Sequence, residues 1–257
     1  MENQNYELVQ AMIKLFRLPY SKINEISKIE TMLKEVLIER PRNATIAISL
    51  LQAKVMLGKV EEAINLAENI WSVGGDISKK TESLYISLLN SLCMFNYSKV
   101  MLDNKLNLNF EERVAIPDIT NLFITCYTGL GDINSLMKVA HFEETGDKKE
   151  FLKDFCHQMI ANKSKDHFAF QQNKIHSVIF GKCSSYETLL TNENQKTEIE
   201  IGIFSGGSSV NRYQLQKQID KVYNDYYETV NHSPIDNFLI TVYDIKEHWG
   251  FDGSMDE

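Results

Sequence analysis

A short turn recurs along the first two-thirds of the chain, at intervals close to the length of one helical hairpin. Two copies combine leucine, glycine and a polar residue, and their glycines, Gly58 and Gly131, are 73 residues apart. That distance is two periods of about 36 residues, and a degenerate copy at 95–97 lies near the midpoint. The break at Pro19 lies roughly one further period upstream. This spacing predicts stacked helical hairpins, which bind other macromolecules more often than they catalyse reactions.

Amphipathic runs on both sides of each turn supply the helices of these hairpins. Apolar residues recur three and four positions apart through the runs, as expected of helices with one buried face. Pro41 follows the second run closely, and Pro117 introduces the seventh. The paired helices are predicted at 6–17 with 22–37, 44–56 with 60–71, 80–95 with 97–106, and 118–128 with 133–142, followed by a single helix at 149–161.

The segment 57–64, Leu-Gly-Lys-Val-Glu-Glu-Ala-Ile, resembles the centre of a tetratricopeptide repeat. The resemblance implies that Gly58 closes the first helix of a hairpin. It also implies that Ala63 allows close packing of the two helices and that Ala67 contacts the next hairpin.

As an architecture, the resemblance extends over residues 5–160 and implies an α-solenoid. At the Gly131 copy, Ser135 or Leu136 stands where the family has alanine. An irregular helical bundle is the alternative fold for this part of the chain.

The sequence changes character near residue 165, beyond which aromatic, β-branched and turn residues become frequent. Three strands are predicted, at 174–181, 197–204 and 237–243, with a long helix at 210–230 before the last of them. The order is that of a small α/β module, β-β-α-β. The fold class is therefore mainly α, with a helical-repeat domain at 1–165 and an acidic α/β module with a C-terminal tail at 166–257.

The net charge of −8 is concentrated in this module. Residues 1–165 carry 20 Lys and Arg against 21 Asp and Glu, whereas residues 166–257 carry 7 against 14. An acidic surface repels phosphate backbones, which argues against a nucleic-acid partner, and it attracts a basic protein or peptide. A solvated acidic face without a partner is the alternative.

A loop rich in glycine and serine, between the second predicted strand and the long helix, is a candidate ligand site. Backbone N–H groups at such a junction can bind an anion. The candidate residues are Gly206, Gly207, Ser208 and Ser209, with Arg212 as the nearby cation. The loop lacks a Walker lysine and the glycine spacing of a dinucleotide site. The alternative is a plain turn in which Ser208 or Ser209 caps the helix.

Aromatic residues of the module are candidates for partner contacts. Tyr223, Tyr226 and Tyr227 share one face of the long helix, and Trp249 and Phe251 lie in the acidic tail. Tyrosine and tryptophan are frequent anchors of protein interfaces. Packing into the module's own core is the alternative for all five.

No motif indicates a cofactor or a metal ion. The six histidines lack HExxH spacing and the four cysteines form no CxxC pair, so buried thiols in a reducing cytoplasm are expected. The N-terminal residues do not resemble a signal peptide, and the apolar runs are shorter than the ~20 residues that span a bilayer. Glu198 and Glu200 lie on one face of the predicted strand at 197–204. They are interpreted either as paired carboxylates or as solvent-facing residues of an edge strand.

These patterns predict a cytoplasmic protein that binds a protein or peptide partner in the groove of a helical repeat, as an adaptor or regulatory subunit. The partner is expected to be basic or of mixed charge, and the composition, rich in Lys, Asn and Ile, is typical of bacterial or phage proteins. The alternative is a small-anion or nucleotide sensor, or an enzyme, that uses the loop at 205–209. Enzymatic activity and self-association into a homo-oligomer both stay open.

Overall fold

A computed structural model describes residues 2–73, 77–142, 148–161, 165–191, 196–203, 211–229 and 238–245, to which all structural statements refer. The protein is mainly α-helical with one small mixed sheet. The helices within these ranges are α1 Glu2–Leu15, α2 Ile23–Glu39, α3 Ala44–Met56, α4 Val60–Val73, α5 Lys79–Ser91, α6 Phe95–Asp103, α7 Phe110–Val114, α8 Ile119–Leu130, α9 Ile133–Val139, α10 Lys148–Ala161, α11 Lys165–Ile179 and α12 Arg212–Thr229. The strands are β1 Ser185–Thr191, β2 Lys196–Ile203 and β3 Phe238–Asp244.

Neighbouring helices pack as the predicted hairpins. The pairs α1 with α2, α3 with α4, α5 with α6 and α8 with α9 are all in contact. The first helices of successive hairpins also contact one another, α1 with α3, α3 with α5 and α5 with α8. The short helix α7 was not predicted. It begins at a capping box in which Asn109 and Glu112 each accept a hydrogen bond from the other's backbone N–H.

Glycines in the left-handed conformation follow α3 and α8. Gly58 has φ +67° and Gly131 has φ +66°. Each glycine N–H donates to the carbonyl three residues back, at 3.0 and 2.9 Å. The next residue, Lys59 or Asp132, donates to the carbonyl five residues back, at 2.9 and 2.8 Å. This is a Schellman motif, which satisfies the last carbonyls of the helix and turns the chain into the next one.

The third copy of the turn is centred on Cys93, not on 95–97 as predicted, since α6 already begins at Phe95. Cys93 has φ +59°, and the turn makes the same two hydrogen bonds, with Cys93 donating to Asn90 at 2.9 Å and Met94 to Leu89 at 2.8 Å. A residue with a Cβ is strained there by roughly 1–2 kcal/mol. His176 of α11 donates a hydrogen bond from Nε2 to the Cys93 carbonyl at 2.7 Å, which helps to hold the turn.

The small residues expected of a tetratricopeptide-like hairpin are buried where the resemblance places them. Ala63 and Ala67 on α4 are fully buried. The hydroxyl of Tyr85, on α5, donates a hydrogen bond to the Ala67 carbonyl at 2.8 Å. The predicted contact between Ala67 and the next hairpin is therefore present.

A network of charged side chains connects α2, α3 and α4. Glu30, on α2, is almost fully buried and accepts hydrogen bonds from Lys34 at 2.8 Å, Lys54 at 3.3 Å and Lys59 at 2.6 Å. Lys54, on α3, is also buried and additionally pairs with Glu62 on α4. Burial alone would raise the pKa of Glu30, but hydrogen bonds from Lys34 and Lys59 outweigh it and lower that pKa to about 2.

The predicted strand at 174–181 is wrong, because residues 174–179 belong to the helix α11 and the next two form a turn. Phe168, Gln171 and Ile175 are buried at helical spacing, and α11 packs on α8 and α12. The β-branched residues at its end favour a strand locally, but burial of this one face against two helices decides for the helix.

The sheet has the order β1-β2-β3, with β1 antiparallel and β3 parallel to β2. The predicted order β-β-α-β is correct, but its first strand is β1. Because β2 is the central strand, the interpretation of Glu198 and Glu200 as part of an edge strand is wrong. Ile201, Ile203 and Val242 are buried and form the core face of the sheet.

The helix α12 is capped by Asn211. Its side-chain oxygen accepts hydrogen bonds from the backbone N–H groups of Tyr213 at 2.9 Å and Gln214 at 3.4 Å. The predicted caps Ser208 and Ser209 lie outside the described residues.

One cluster of buried apolar side chains extends from the helices into the sheet. It contains Ile86 and Phe123 from α5 and α8 together with Ile201, Leu215 and Val242 from the C-terminal part. The sheet is therefore packed directly on the helical hairpins. The division into domains at residue 165 stays a prediction. No helix in the described ranges is both long and apolar enough to cross a membrane.

Replacing Glu30 by Gln should lower the free energy of unfolding by about 2 kcal/mol, because Lys34, Lys54 and Lys59 lose the carboxylate that they share. Lys54 then keeps only Glu62 as a charged partner. Lys54→Met should cost less than about 1 kcal/mol, because Glu30 keeps Lys34 and Lys59. Urea unfolding at pH 7 measures both. The Glu30→Gln penalty should shrink as the pH falls from 4.5 toward 2, where the wild type is itself protonated. Equal penalties for the two variants would contradict this account.

Alanine substitutions at Gly131 and Gly181 distinguish the cost of backbone strain from the cost of a steric clash. A Cβ at Gly131 would lie 2.5 Å from the Cα of Ala169, whereas a Cβ at Gly181, which has φ +75°, meets nothing within 4 Å. Gly181→Ala should therefore destabilise by about 1 kcal/mol, from backbone strain alone. Gly131→Ala should destabilise by about 3 kcal/mol, because α11 must also move. Thermal unfolding compares the two variants.

Candidate functional site

A pocket of about 190 Å³ opens where α5, the start of α8 and β1 meet. The two helices each present a row of polar residues spaced three and four positions apart, which places each row on one helix face. The strand contributes the residues that complete the wall. The lining residues are Ser87, Asn90, Ser91, Asp118, Asn121, Leu122, Thr125, Tyr186, Glu187 and Thr188.

Asp118 lies at the beginning of α8, directly after Pro117. It has φ +55°, in the left-handed region that aspartate tolerates better than most residues. Its side chain does not cap the helix and instead accepts a hydrogen bond from Asn121 Nδ2 at 2.6 Å. One carboxylate is thus held at the wall of the pocket by the first turn of α8.

Two further carboxylates come from the sheet. Glu187 on β1 lies directly opposite Glu200 on β2, in an arrangement that places like charges side by side. Glu187 is exposed at the mouth of the pocket. The protein around it still desolvates the carboxylate and raises the pKa of Glu187, and the charges of Glu200 and Asp118 raise that pKa further. No Lys or Arg is among the described residues that line the pocket.

Three lining residues have buried oxygen atoms without a hydrogen-bond partner in the described part of the chain: Asn90 Oδ1 and the hydroxyls of Tyr186 and Thr188. The Asn90 amide nitrogen donates to the Leu122 carbonyl at 3.2 Å, which connects α5 to α8 but leaves its oxygen unused. Buried polar atoms without partners are uncommon in proteins, and an ordered water, an ion or a functional role is the usual explanation.

Tyr186 fixes the strand against the helices. Its ring packs edge-on against Phe95, with centroids 4.9 Å apart, and only 2% of the residue is exposed. Burial raises the pKa of Tyr186 strongly, and the neighbouring thiols of Cys93 and Cys183 raise it further. Thr188 lowers that pKa, although its hydroxyl does not have the geometry of a hydrogen bond to Tyr186. All four cysteines are buried free thiols.

The turn between α1 and α2 approaches the same face of the sheet. Burial raises the pKa of Tyr20 to about 12, with further contributions from Tyr243, Glu187 and Cys183. Tyr243 on β3 donates a hydrogen bond to Ser185 Oγ at 3.4 Å. The first hairpin and the last strand therefore both lie near the acidic group around Glu187.

A second pocket, of about 230 Å³, lies between the end of α2, the start of α3 and the end of α4. Its lining is mainly aliphatic, with Arg42, Asn43 and Asn69 as its polar members. It has no concentration of charge, so it is chemically less specific than the pocket at β1.

The ligand residues predicted from the sequence are not the residues of the acidic pocket. The proposed anion loop, Gly206, Gly207, Ser208 and Ser209, lies outside the described residues. Arg212 is described, and its guanidinium lies 4.6 Å from the ring centroid of Tyr213 and donates to the Tyr213 hydroxyl at 2.7 Å. The anion site stays a prediction.

The predicted partner-binding aromatics are equally untested. Tyr223, Tyr226 and Tyr227 lie on α12, but their side chains are outside the described part of the structure. Trp249 and Phe251 also lie outside the described residues. In the described residues, no group of three or more His, Cys, Asp or Glu side chains could hold a metal ion.

Sequence reasoning missed the pocket because it misplaced the first strand. The sequence pattern assigns Tyr186, Glu187 and Thr188 to no element and indicates Asp118 only as the start of a helix. The signal for the strand is the alternation in which Tyr186 and Thr188, both common in strands, flank the charged Glu187.

Comparison with protein-family models, curated proteins and solved structures found no match for this chain.

Glu187→Gln should stabilise the protein at pH 7 by about 0.5 kcal/mol, the scale of one like-charge cross-strand pair. The pKa of Glu187 is raised, so wild-type stability falls as the pH rises through that pKa and the carboxylate becomes charged. The gain should therefore disappear below pH 4.5, where the wild type is protonated too. Urea unfolding at pH 7 and pH 4 measures the difference. Glu68→Gln on α4 is the exposed control and should change little.

Proposed function

We propose that this chain is an interaction protein that binds a protein or peptide partner on the face formed by α5, α8 and β1. The observation that carries the proposal is the pocket itself, which is lined by the carboxylates of Asp118 and Glu187 and by buried polar atoms that lack partners. Such a site gains stability when a complementary group enters it. The proposed setting is a cytoplasmic adaptor or regulatory subunit without a cofactor.

The helical part supports this proposal through its packing. The first helices of successive hairpins contact one another, as they do in a stack of tetratricopeptide type. In such a stack these helices line the groove that collects a peptide. Ser87 and Ser91 on α5, with Asn121 and Thr125 on α8, form polar rows of that kind. We therefore propose that the hairpins form an α-solenoid and that the pocket lies in its groove.

The electrostatics of the site point the same way. Glu187 is held opposite Glu200 and near Asp118, where its charge opposes folding. Residues that reduce stability are commonly retained where function requires them. These carboxylates do not stabilise the fold, but they would stabilise a complex with a basic partner.

The test uses a steric variant with a matched control. Ser87 and Ser72 are both exposed helix residues, but only Ser87 lines the pocket. Ser87→Trp should obstruct the pocket, and Ser72→Trp, on α4, should leave it open. Tagged wild type and both variants are used to recover partners from the native host, with affinities of any recovered protein measured by calorimetry.

We expect a stoichiometric partner that binds wild type and Ser72→Trp equally and Ser87→Trp at least tenfold more weakly. Equal binding by all three proteins would place the interface elsewhere and contradict the proposal. Recovery of no protein, together with release of a small anion or nucleotide from the denatured wild type, would favour the sensor or enzyme alternative.

A further inference from the structure

The pocket at α5, α8 and β1 is suited to a cation. Asp118 and Glu187 line it, Glu200 lies opposite Glu187, and no Lys or Arg is among its described lining residues. An anion entering this space would meet the like charges of Asp118 and Glu187. A cation would instead offset the desolvation and the like-charge repulsion that together raise the pKa of Glu187.

The pocket also has unused hydrogen-bond acceptors. Asn90 is 2% exposed, and its Oδ1 is unpartnered, whereas its Nδ2 donates one hydrogen bond to the Leu122 carbonyl. The hydroxyls of Tyr186 and Thr188 are buried and unpartnered as well. A ligand that carries several N–H donors would therefore complete the hydrogen bonding of this wall.

The volume sets the size of the group. A cavity of about 150 Å³ accommodates benzene, which has six heavy atoms. The pocket measures about 190 Å³, which suits a guanidinium group together with two carbon atoms of its chain. A helix or strand of a partner is too large to enter the pocket. The bound group must therefore be a side chain or a small molecule that enters from solvent.

We infer that the pocket binds the guanidinium group of an arginine side chain. A guanidinium presents five N–H donors in a planar fork and matches carboxylates and spread-out acceptors better than an ammonium, which is a compact point charge. A divalent metal ion is a poorer fit, because no group of three or more His, Cys, Asp or Glu side chains in the described ranges could hold one. The inference rests on the proposed function, since it names what the partner places in the same pocket.

The experiment is a calorimetric titration of the full chain with N-acetyl-arginine methylamide at pH 7.5 and low salt. The matched probes are the citrulline analogue, which has nearly the same shape without charge, and the lysine analogue. We expect saturable 1:1 binding of the arginine probe with a Kd of about 0.1–1 mM, as for a small fragment. The citrulline probe should bind at least tenfold more weakly, and the lysine probe several-fold more weakly.

Two charge variants separate the pocket from general attraction to an acidic protein. The double variant Asp118→Asn with Glu187→Gln should weaken the arginine probe at least tenfold. Asparagine tolerates the left-handed backbone at position 118, so the fold should persist, as circular dichroism will check. The control, Glu35→Gln with Glu68→Gln, removes two charges from exposed positions on α2 and α4 and should keep wild-type affinity.

Four results would overturn the inference. The first is no saturable binding of the arginine probe. The second is equal weakening by the two double variants, and the third is equal affinity for the arginine and citrulline probes. The fourth is lysine binding as tight as arginine binding, which would indicate a general cation site instead of a guanidinium site.

The source of the guanidinium is tested with the peptide Ac-Ala-Ala-Arg-Ala-Ala-amide and with free arginine. If the guanidinium belongs to a partner protein, the peptide should bind at least as tightly as the short probe. The polar rows on α5 and α8 would then contact the alanines that flank the arginine of the peptide. Exclusion of the peptide, with tight binding of free arginine, would overturn the assignment to a partner protein.

The inference and the proposed function can fail separately. If Ser87→Trp abolishes partner binding but the arginine probe does not bind, the interface stands and the inference fails. If the arginine probe binds and no protein partner depends on Ser87, the guanidinium site stands and the interaction function fails.

Discussion

A left-handed residue ends the first helix in three of the hairpins, and the positions of the following helices depend on it. Gly58, Cys93 and Gly131 make the same pair of backbone hydrogen bonds and reverse the chain in the same way. Because these turns recur, α3, α5 and α8 come to lie against one another in succession. The polar rows of α5 and α8 then face a common space, which the sheet closes.

Residues in the C-terminal part of the chain hold the sheet against the space between α5 and α8. His176 binds the Cys93 carbonyl, and Tyr186 packs on Phe95, so the turn of the third hairpin is also an anchor for α11 and β1. With β1 fixed there, Glu187 lies at the pocket mouth beside Asp118. The turn at Cys93 therefore positions both the helix that follows it and the strand that completes the pocket.

Glu30 and Glu187 lie in opposite electrostatic environments. Glu30 is surrounded by lysines, and its charge connects three helices. Glu187 lies opposite another glutamate, and its pKa is raised rather than lowered. A carboxylate with partners contributes to folding, whereas one without them is available to a ligand. This contrast separates the structural charges from those that we assign to binding.

The hairpins, the strand β2 and the helix α12 could be predicted from the sequence alone, because each depends on local periodicity and on turn residues such as Gly58 and Gly131. The helical state of 174–179 could not, since its β-branched residues favour a strand and only packing on α8 and α12 makes it a helix. Nor could the pocket, because Asn90, Asp118 and Glu187 lie far apart in the chain and only tertiary contacts bring them together. Local hydrogen bonding and hydrophobic spacing determined the elements, and long-range burial decided which charges meet.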